Sequence, residues 1–437
     1  MRPRTAIPIL VAFLAITGCS GDEGAPRLTA AVDTVDGIAR ISYPAEPAGP
    51  LGWSLDTVAV LGDAFAEEAY QFDQVSGGGL ASDLDGNLYV LDRQGGRVLK
   101  YAPDGSHRAT FGRKGEGPGE LSQPISMAVG PGDTVWVSDF SNSRLTGYPP
   151  DGGDPRTIPL PGEGVIPGER LAALEGGFIT LMRPLFGFSR GGGGRMQVSR
   201  PGQEDGEDAC PPVLPVMRLN PSLVPMDTLW ASPEPPMDMV QLEAAGRVMV
   251  TMMSREFHPE FQWAGFPDGG IVVSDSAAYV LHLLDADGRR VRTIERGPAP
   301  RPTTEADREL ARERVREQSG GGGVRIGGGG PDEETRKRML EQRLEKMTFA
   351  DLIPRVVELR VDPAGRIWVG VSEDTPDAVD RIDIYRRDGT LLGELRDFPF
   401  PDVFPGPDRI GVLRRDDLDV QQVVLLEIKR TETEVAG

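Results

Sequence analysis

The 437-residue chain is poor in several things, and each shortage excludes something. It has two cysteines, Cys19 and Cys210, too few for a disulfide framework. Cys210 stands in a Gly- and Pro-rich segment with no base suggested beside it, the setting of an inert or solvent-exposed thiol. There are three histidines, His107, His258 and His282, far apart in the chain, where a zinc lyase would want several that converge. Basic residues are outnumbered, 47 Lys and Arg against 67 Asp and Glu, for a formal net charge of −20. That disfavours nucleic acid or an anionic membrane surface as the main partner, since both attract basic patches. A well-solvated acidic surface accounts for the balance by itself. The glycine-rich RKGEGPGE does not fit the phosphate loop GxxxxGKS or GxxxxGKT.

What the chain does have is glycine (56) and proline (39), many of them placed as turn residues between short apolar runs. The stretch Val75 to Leu121 shows the pattern. GGLAS leads to the turn DLDGN, LYVLD to RQGG, RVLKYA to PDG, and HRATFG to a glycine-rich exit. These are four strands with a turn between each pair. Such a unit cannot bury both faces alone and must stack on copies of itself. Copies are present. GNLYVLD (Gly86 to Asp92) recurs as GDTVWVSD (Gly132 to Asp139), GGFITLM (Gly176 to Met182), GGIVVSD (Gly269 to Asp275) and GRIWVGV (Gly365 to Val371), with a weaker DRIGVLR (Asp408 to Arg414). The first three are spaced about 45 residues apart, the period of a four-stranded propeller blade.

The segments NLYVLDRQGGRVLKYAPDG, FGRKGEGPGEL and VWVSDFSNSRLTGYPPDG resemble the NHL-repeat-like six-bladed β-propellers of bacterial lipoproteins, over about residues 51–430. The resemblance implies an all-β, six-bladed β-propeller of four-stranded antiparallel blades. It says little about activity, because propellers host many unrelated functions. The last blade lacks an obvious outermost strand, and residues 55–61 are expected to supply it, so that an N-terminal strand closes the ring and removes two free sheet edges.

Residues 1–19 read as a signal peptide: basic MRPR, then the short apolar run IPILVAFLAITGC. The ending ITGC resembles a bacterial lipobox, which implies lipidation of Cys19 and a place in the bacterial cell envelope, periplasmic or at the outer membrane. Residues 20–50 read as a flexible tether with one short strand at Gly37 to Ile41, and residues 431–437 as a tail. Two insertions interrupt the repeats, a Gly- and Pro-rich loop at 183–215 and a helical segment at 303–347. The latter opens on a cap-like Thr304…Asp307 pair and reads as a helical hairpin with a narrow apolar stripe, expected to dock loosely.

Strand polarity assigns these insertions to one end. If each inner strand starts at one end of the ring, then the second-to-third turns and the blade connections lie at that same end. The loop 183–215, the connection 231–260 and the hairpin 303–347 all emerge there, and loops on a rigid scaffold are where recognition usually sits. Candidate ligand residues at that end are Gln123, Arg170, Gln262 and Arg355 on the inner strands, with Arg113, Lys114 and His258 in adjoining loops. Several are basic and would suit a carboxylate or phosphate. Asp92, Asp139 and Asp275 recur at the end of the second strand and read as structural carboxylates accepting turn N–H groups, with Arg97 or Arg144 as partners. The expected function is a lipid-anchored binding or interaction module for a protein, peptide or small ligand. It is expected to be monomeric, to hold no cofactor, and to touch the membrane only through its lipid. The alternative is a metal-dependent hydrolase or lactonase at the channel mouth, with calcium as its ion.

Overall fold

The computed structural model describes residues 28–160, 165–184, 187–190, 196–199, 213–244, 247–320 and 332–430. Cys19, Cys210, the signal peptide and the tail lie outside them. The described strands form six blades around a central axis, and only two α-helices are present among the described residues.

Blade one is Leu80–Ser82, Leu88–Asp92, Arg97–Tyr101 and His107–Phe111, and blade two is Pro124–Val129, Val135–Asp139, Arg144–Tyr148 and Arg156–Pro159. Blade three is Val165–Leu174, Gly177–Pro184, Val213–Leu219 and Pro225–Pro233. Blade four is Gln262–Gly265, Ile271–Ser274, Val280–Leu284 and Arg290–Arg296, and blade five is Val356–Val361, Ile367–Val371, Arg381–Tyr385 and Leu391–Leu395. Blade six combines Arg409–Arg415 and Gln421–Lys429 with Ser54–Leu61, which pairs antiparallel along Gln421–Lys429 and closes the ring. Its innermost position is held by a single bridge, Val403 to Gly411.

The second strands explain why the repeats are visible. LYVLD and IWVGV are buried at every position. Successive side chains of a strand point to opposite faces, so Leu88 and Val90 enter the seam with blade six while Tyr89 and Leu91 enter the seam with blade two. Both faces being dry, the run is continuously apolar. Each of the six seams holds one hydrophobic cluster built from the two blades that flank it. The turns between blades' strands use glycine where the backbone requires it. Gly105 has φ +85°, and a Cβ there would meet the Ala59 Cβ of the closing strand at 2.5 Å.

Three elements depart from the sequence expectation. Residues in the expected tether form a hairpin, Ala31–Val35 with Ile38–Tyr43, and the second of these pairs parallel to Arg290–Arg296. Blade four therefore carries six strands. Alternation in IARISY does this: Ile41 and Tyr43 turn into the seam with blade five, where the Tyr43 hydroxyl donates to the Gly389 carbonyl at 2.9 Å. Within the loop expected at 183–215, Gly187–Arg190 and Met196–Ser199 pair as a short hairpin.

The helical insertion, expected to dock loosely, packs against a partner surface of its own. Helix α1 (Glu305–Gly320) buries Ala311 and Val315 with Phe257, Met347 and Ile353, and Leu340 and Leu344 of α2 (Glu333–Glu345) lie against the same cluster. The Thr304–Asp307 pair is a reciprocal cap: the Thr304 amide donates to the Asp307 carboxylate at 2.8 Å and the Asp307 amide to the Thr304 hydroxyl at 3.3 Å. Arg301 grips the same carboxylate at 2.7 and 2.8 Å, and this holds the Asp307 carboxyl well below the usual range. No helix among the described residues is long and apolar enough to cross a membrane.

A charge cluster is sealed in the seam between blades four and five. The fully buried Arg296 meets Asp383 at 2.6 Å and Glu394 at 3.3 Å. Arg381 meets Asp383 at 2.8 Å, and the Tyr279 hydroxyl donates to Asp383 at 2.9 Å. Glu394 also accepts the Ala48 amide, and Arg296 donates to the Glu46 carbonyl, so the cluster pins the segment entering blade six.

Candidate functional site

The inner strands surround a cavity of about 250 Å³ on the axis, lined from all six blades. Much of the lining is small or apolar, including Gly77, Gly78, Ala172, Ala264 and Gly265. Small residues are what a ring of close-set strands can accommodate. The charged part of the lining is Arg170, Arg360 and Asp402, with Glu358 and Gln262 bonded to Arg170 beside it. Arg170 lies within a register shift between Pro167 and Leu171, the kind of bulge that re-aims a side chain. Its guanidinium donates to the Trp263 carbonyl at 2.7 Å, to the Gln262 side chain at 3.2 Å and to Glu358 at 3.2 Å. Glu358 also meets Arg360 at 2.9 Å. Asp402 faces the same space from blade six and accepts the Leu413 amide at 2.7 Å. Burial raises the Asp402 carboxyl, and the neighbouring Arg360 only partly offsets this.

Strand order identifies the end of the ring at which the chain is elaborated. In blade one the inner strand leads to the turn 83–87, so the turn 93–96 and the connection 112–123 lie at the opposite end. By the same polarity the hairpin within the third blade, the hairpin Met237–Ala244 with Arg247–Ser254, and α1 with α2 all emerge at that end. The second hairpin and the helices touch one another: the Thr348 hydroxyl donates to Asp238 at 2.6 Å, and the Lys346 ammonium to the Gln241 carbonyl.

Of the residues singled out in sequence, Arg170 and Gln262 come together in the channel. The others do not join them. Arg355 is buried at the blade four–five junction, donating to the carbonyls of Ala299 at 3.1 Å and Ser372 at 3.2 Å, and burial lowers its pKa. Gln123 is exposed at the rim and accepts from the Ser141 hydroxyl at 2.9 Å. Arg113 pairs with Glu120 at 2.7 Å, and Lys114 donates to the Gln94 carbonyl at 3.2 Å. His258 contacts the Pro259 carbonyl at 3.1 Å through its ring, beside the helical insertion.

The repeated aspartates take different partners. Asp92 accepts from the amides of Gln74 and Gly95 at 3.1 and 3.2 Å and meets Arg97 at 3.3 Å. Asp139 accepts from the amides of Ser122 and Gln123 at 2.8 and 2.9 Å and from Asn142 at 2.7 Å. Arg144, expected beside it, donates instead to the carbonyls of Gly117 and Glu120. Asp275 accepts the Trp230 indole N–H at 2.9 Å.

Glu358, Arg360 and Asp402 were not singled out in sequence. The first two carried a signal, charges at alternate positions of VVELRV, which places them on one face of an inner strand. These channel residues do not make a calcium site. Calcium takes six to eight oxygen ligands, whereas one channel carboxylate is gripped by two guanidiniums and the other accepts a backbone amide. Among the described residues no group of three His, Cys, Asp or Glu is placed to hold a metal ion.

No family model matches the chain, and no curated protein matches it by sequence. Solved structures similar to it include a candidate exported protein of Bacteroides fragilis, at 12% identity and TM-score 0.46, over 90% of this chain and 100% of that one. The PQQ-bound aldose sugar dehydrogenase of Streptomyces coelicolor matches at 12% and 0.38, over 87% and 99%. A gluconolactonase of Xanthomonas campestris matches at 16% and 0.36, over 87% and 91%. Likenesses this distant assign no activity to the chain.

Proposed function

We propose that this chain is an extracytoplasmic six-bladed propeller of NHL-repeat-like type, tethered to the bacterial envelope by a lipid on Cys19. On this reading it binds a partner protein, peptide or small ligand at its insertion-bearing end. The observation that carries it is polarity: every described insertion, two hairpins and a helical pair, emerges at one end of the ring. Among the described residues the opposite end has short turns such as 102–106 and 285–289. The run IPILVAFLAITGC and the cysteine that ends it support export and anchoring. Among the described channel residues, Glu358 and Asp402 are the carboxylates a metal-dependent hydrolase would draw on, the first paired with Arg170 and Arg360 and the second accepting the Leu413 amide.

The test is photo-crosslinking in the cells that make the protein. A photoreactive residue replaces Gln123, Ser141 or Glu345 at the insertion end, or Asp104, Asp151 or Asp287 at the other. Discrete adducts from the first set alone are expected. Adducts only from the second set, or equally from both, overturn the proposal.

A further inference from the structure

Five of the chain's 13 methionines, Met237, Met239, Met249, Met252 and Met253, fall in one hairpin. Its strands, Met237–Ala244 and Arg247–Ser254, pair only with each other among the described residues. Alternation divides its two faces. One face is covered: Val240 and Leu242 are buried, Met253 lies against the cluster that contains Phe257 and Met347, and Asp238 accepts the Thr348 hydroxyl. The opposite face carries Met237, Met239 and Met252. Met239 stands directly across from Met252, and Met237 is two residues along the same strand. Met239 is 66% exposed and Met237 43%.

Methionine has no particular preference for an exposed strand position, where β-branched and aromatic residues are the enriched types. What three thioethers offer that other apolar side chains lack is a soft donor atom. Directly opposed residues have Cβ atoms about 5 Å apart, and alternate residues on one strand are roughly 6.6 Å apart. Three rotatable bonds let each methionine sulfur swing across such gaps to a common point. Of the other described side chains on this face, Gln241 and Ser254, both are neutral and hard, and neither favours calcium, magnesium or zinc. Soft thioether donors select Cu(I).

We propose that Met237, Met239 and Met252 form a surface site for monovalent copper on the insertion-bearing end of the propeller. The site stands apart from the channel, and it does not depend on the binding function proposed above.

The experiment titrates full-length protein in detergent, without oxygen, with Cu(I) buffered by bicinchoninate. It compares the unsubstituted chain, the triple variant M237L/M239L/M252L and Cys210→Ala. Leucine conserves volume and apolarity, so the triple variant keeps the surface and loses only the sulfurs. Expected is one equivalent of Cu(I), retained in Cys210→Ala and weakened by about 100-fold or more in the triple variant, since even changes outside the ligand shell cost 10–100-fold. Should the triple variant fold poorly, Ag(I) added to unsubstituted protein with 13C-labelled methionine methyls gives a second readout. The methyl resonances of Met237, Met239 and Met252, assigned through single Met→Leu variants, shift and the remaining ones stay in place. No Cu(I) uptake, uptake unchanged in the triple variant, uptake lost in Cys210→Ala, or silver shifts at other methionines overturns the proposal.

Discussion

Replacing Arg296 with Met should be among the most damaging single changes in the molecule, and its cost follows from the seam cluster. Arg296, Arg381 and Arg396 balance Asp383, Glu394 and Glu373 there, three charges against three. The Arg296 and Asp383 side chains are wholly buried. Removing the guanidinium leaves three carboxylates facing two guanidiniums, with Asp383 held only by Arg381 and the Tyr279 hydroxyl, a loss of about 3–5 kcal/mol for a broken buried pair. Unfolding entropy near 2.1 cal/mol/K per residue, over about 380 residues, gives roughly 0.8 kcal/mol per degree at the midpoint, so the melting temperature should fall by about 4–6 °C. Differential scanning calorimetry measures this. The double variant Arg296→Met with Asp383→Asn restores charge balance, and it should recover at least about 1 kcal/mol relative to the sum of the two single variants. A single-variant loss below about 1 kcal/mol, or strict additivity in the double variant, refutes the reasoning, because an exposed ion pair would behave that way.

Two further outcomes follow from named contacts. Gly105→Ala forces a side chain onto a left-handed residue and into the closing strand at Ala59. A loss of about 1–3 kcal/mol in urea unfolding is expected, and a change within 0.5 kcal/mol contradicts the packing of Ser54–Leu61 described above. The Asp402 carboxyl is raised by burial. Its neutral form is therefore the better tolerated in the fold, and the stability it contributes is full below the ordinary value of 3.8 and is lost as pH rises through the raised value. Asp402→Asn abolishes that loss, so the melting temperature of the unsubstituted protein minus that of the variant should fall between pH 4 and pH 7. A difference that is flat or rising with pH counts against it.

How much of this was legible in the sequence depended on how local each signal was. The second strands were legible because both their faces are buried in seams, which makes GNLYVLD and GRIWVGV continuous apolar runs between turn residues. The cap at Thr304 and Asp307 was legible because both partners lie within one turn. The sixth inner strand was not, because a single bridge at Val403 leaves no run to recognise. Of the hairpin at residues 31–43 only the second strand was legible, as the short strand at 37–41; its partner and its pairing with blade four were not, because two seam-facing side chains, Ile41 and Tyr43, outweigh a polar, proline-rich context. The docking of the helices depended on Phe257, which precedes them by some fifty positions, and on Ile353 beyond them. The channel was half legible. Arg170 and Gln262 stood out by position, but the meaning of Arg170 comes from Glu358, 188 residues away. No periodicity along the chain reports that pairing.

The measurement that tests the binding account most directly is cysteine accessibility at the two ends of the ring. Single cysteines at Gln123 or Glu345, against Asp104 or Asp287, in a Cys210→Ala background, are labelled with a water-soluble maleimide, first on purified protein and then in freshly prepared envelopes. The account predicts that all four react in purified protein and that only the insertion-end pair is protected in envelopes. Equal labelling at both ends in envelopes, or protection confined to Asp104 and Asp287, contradicts it.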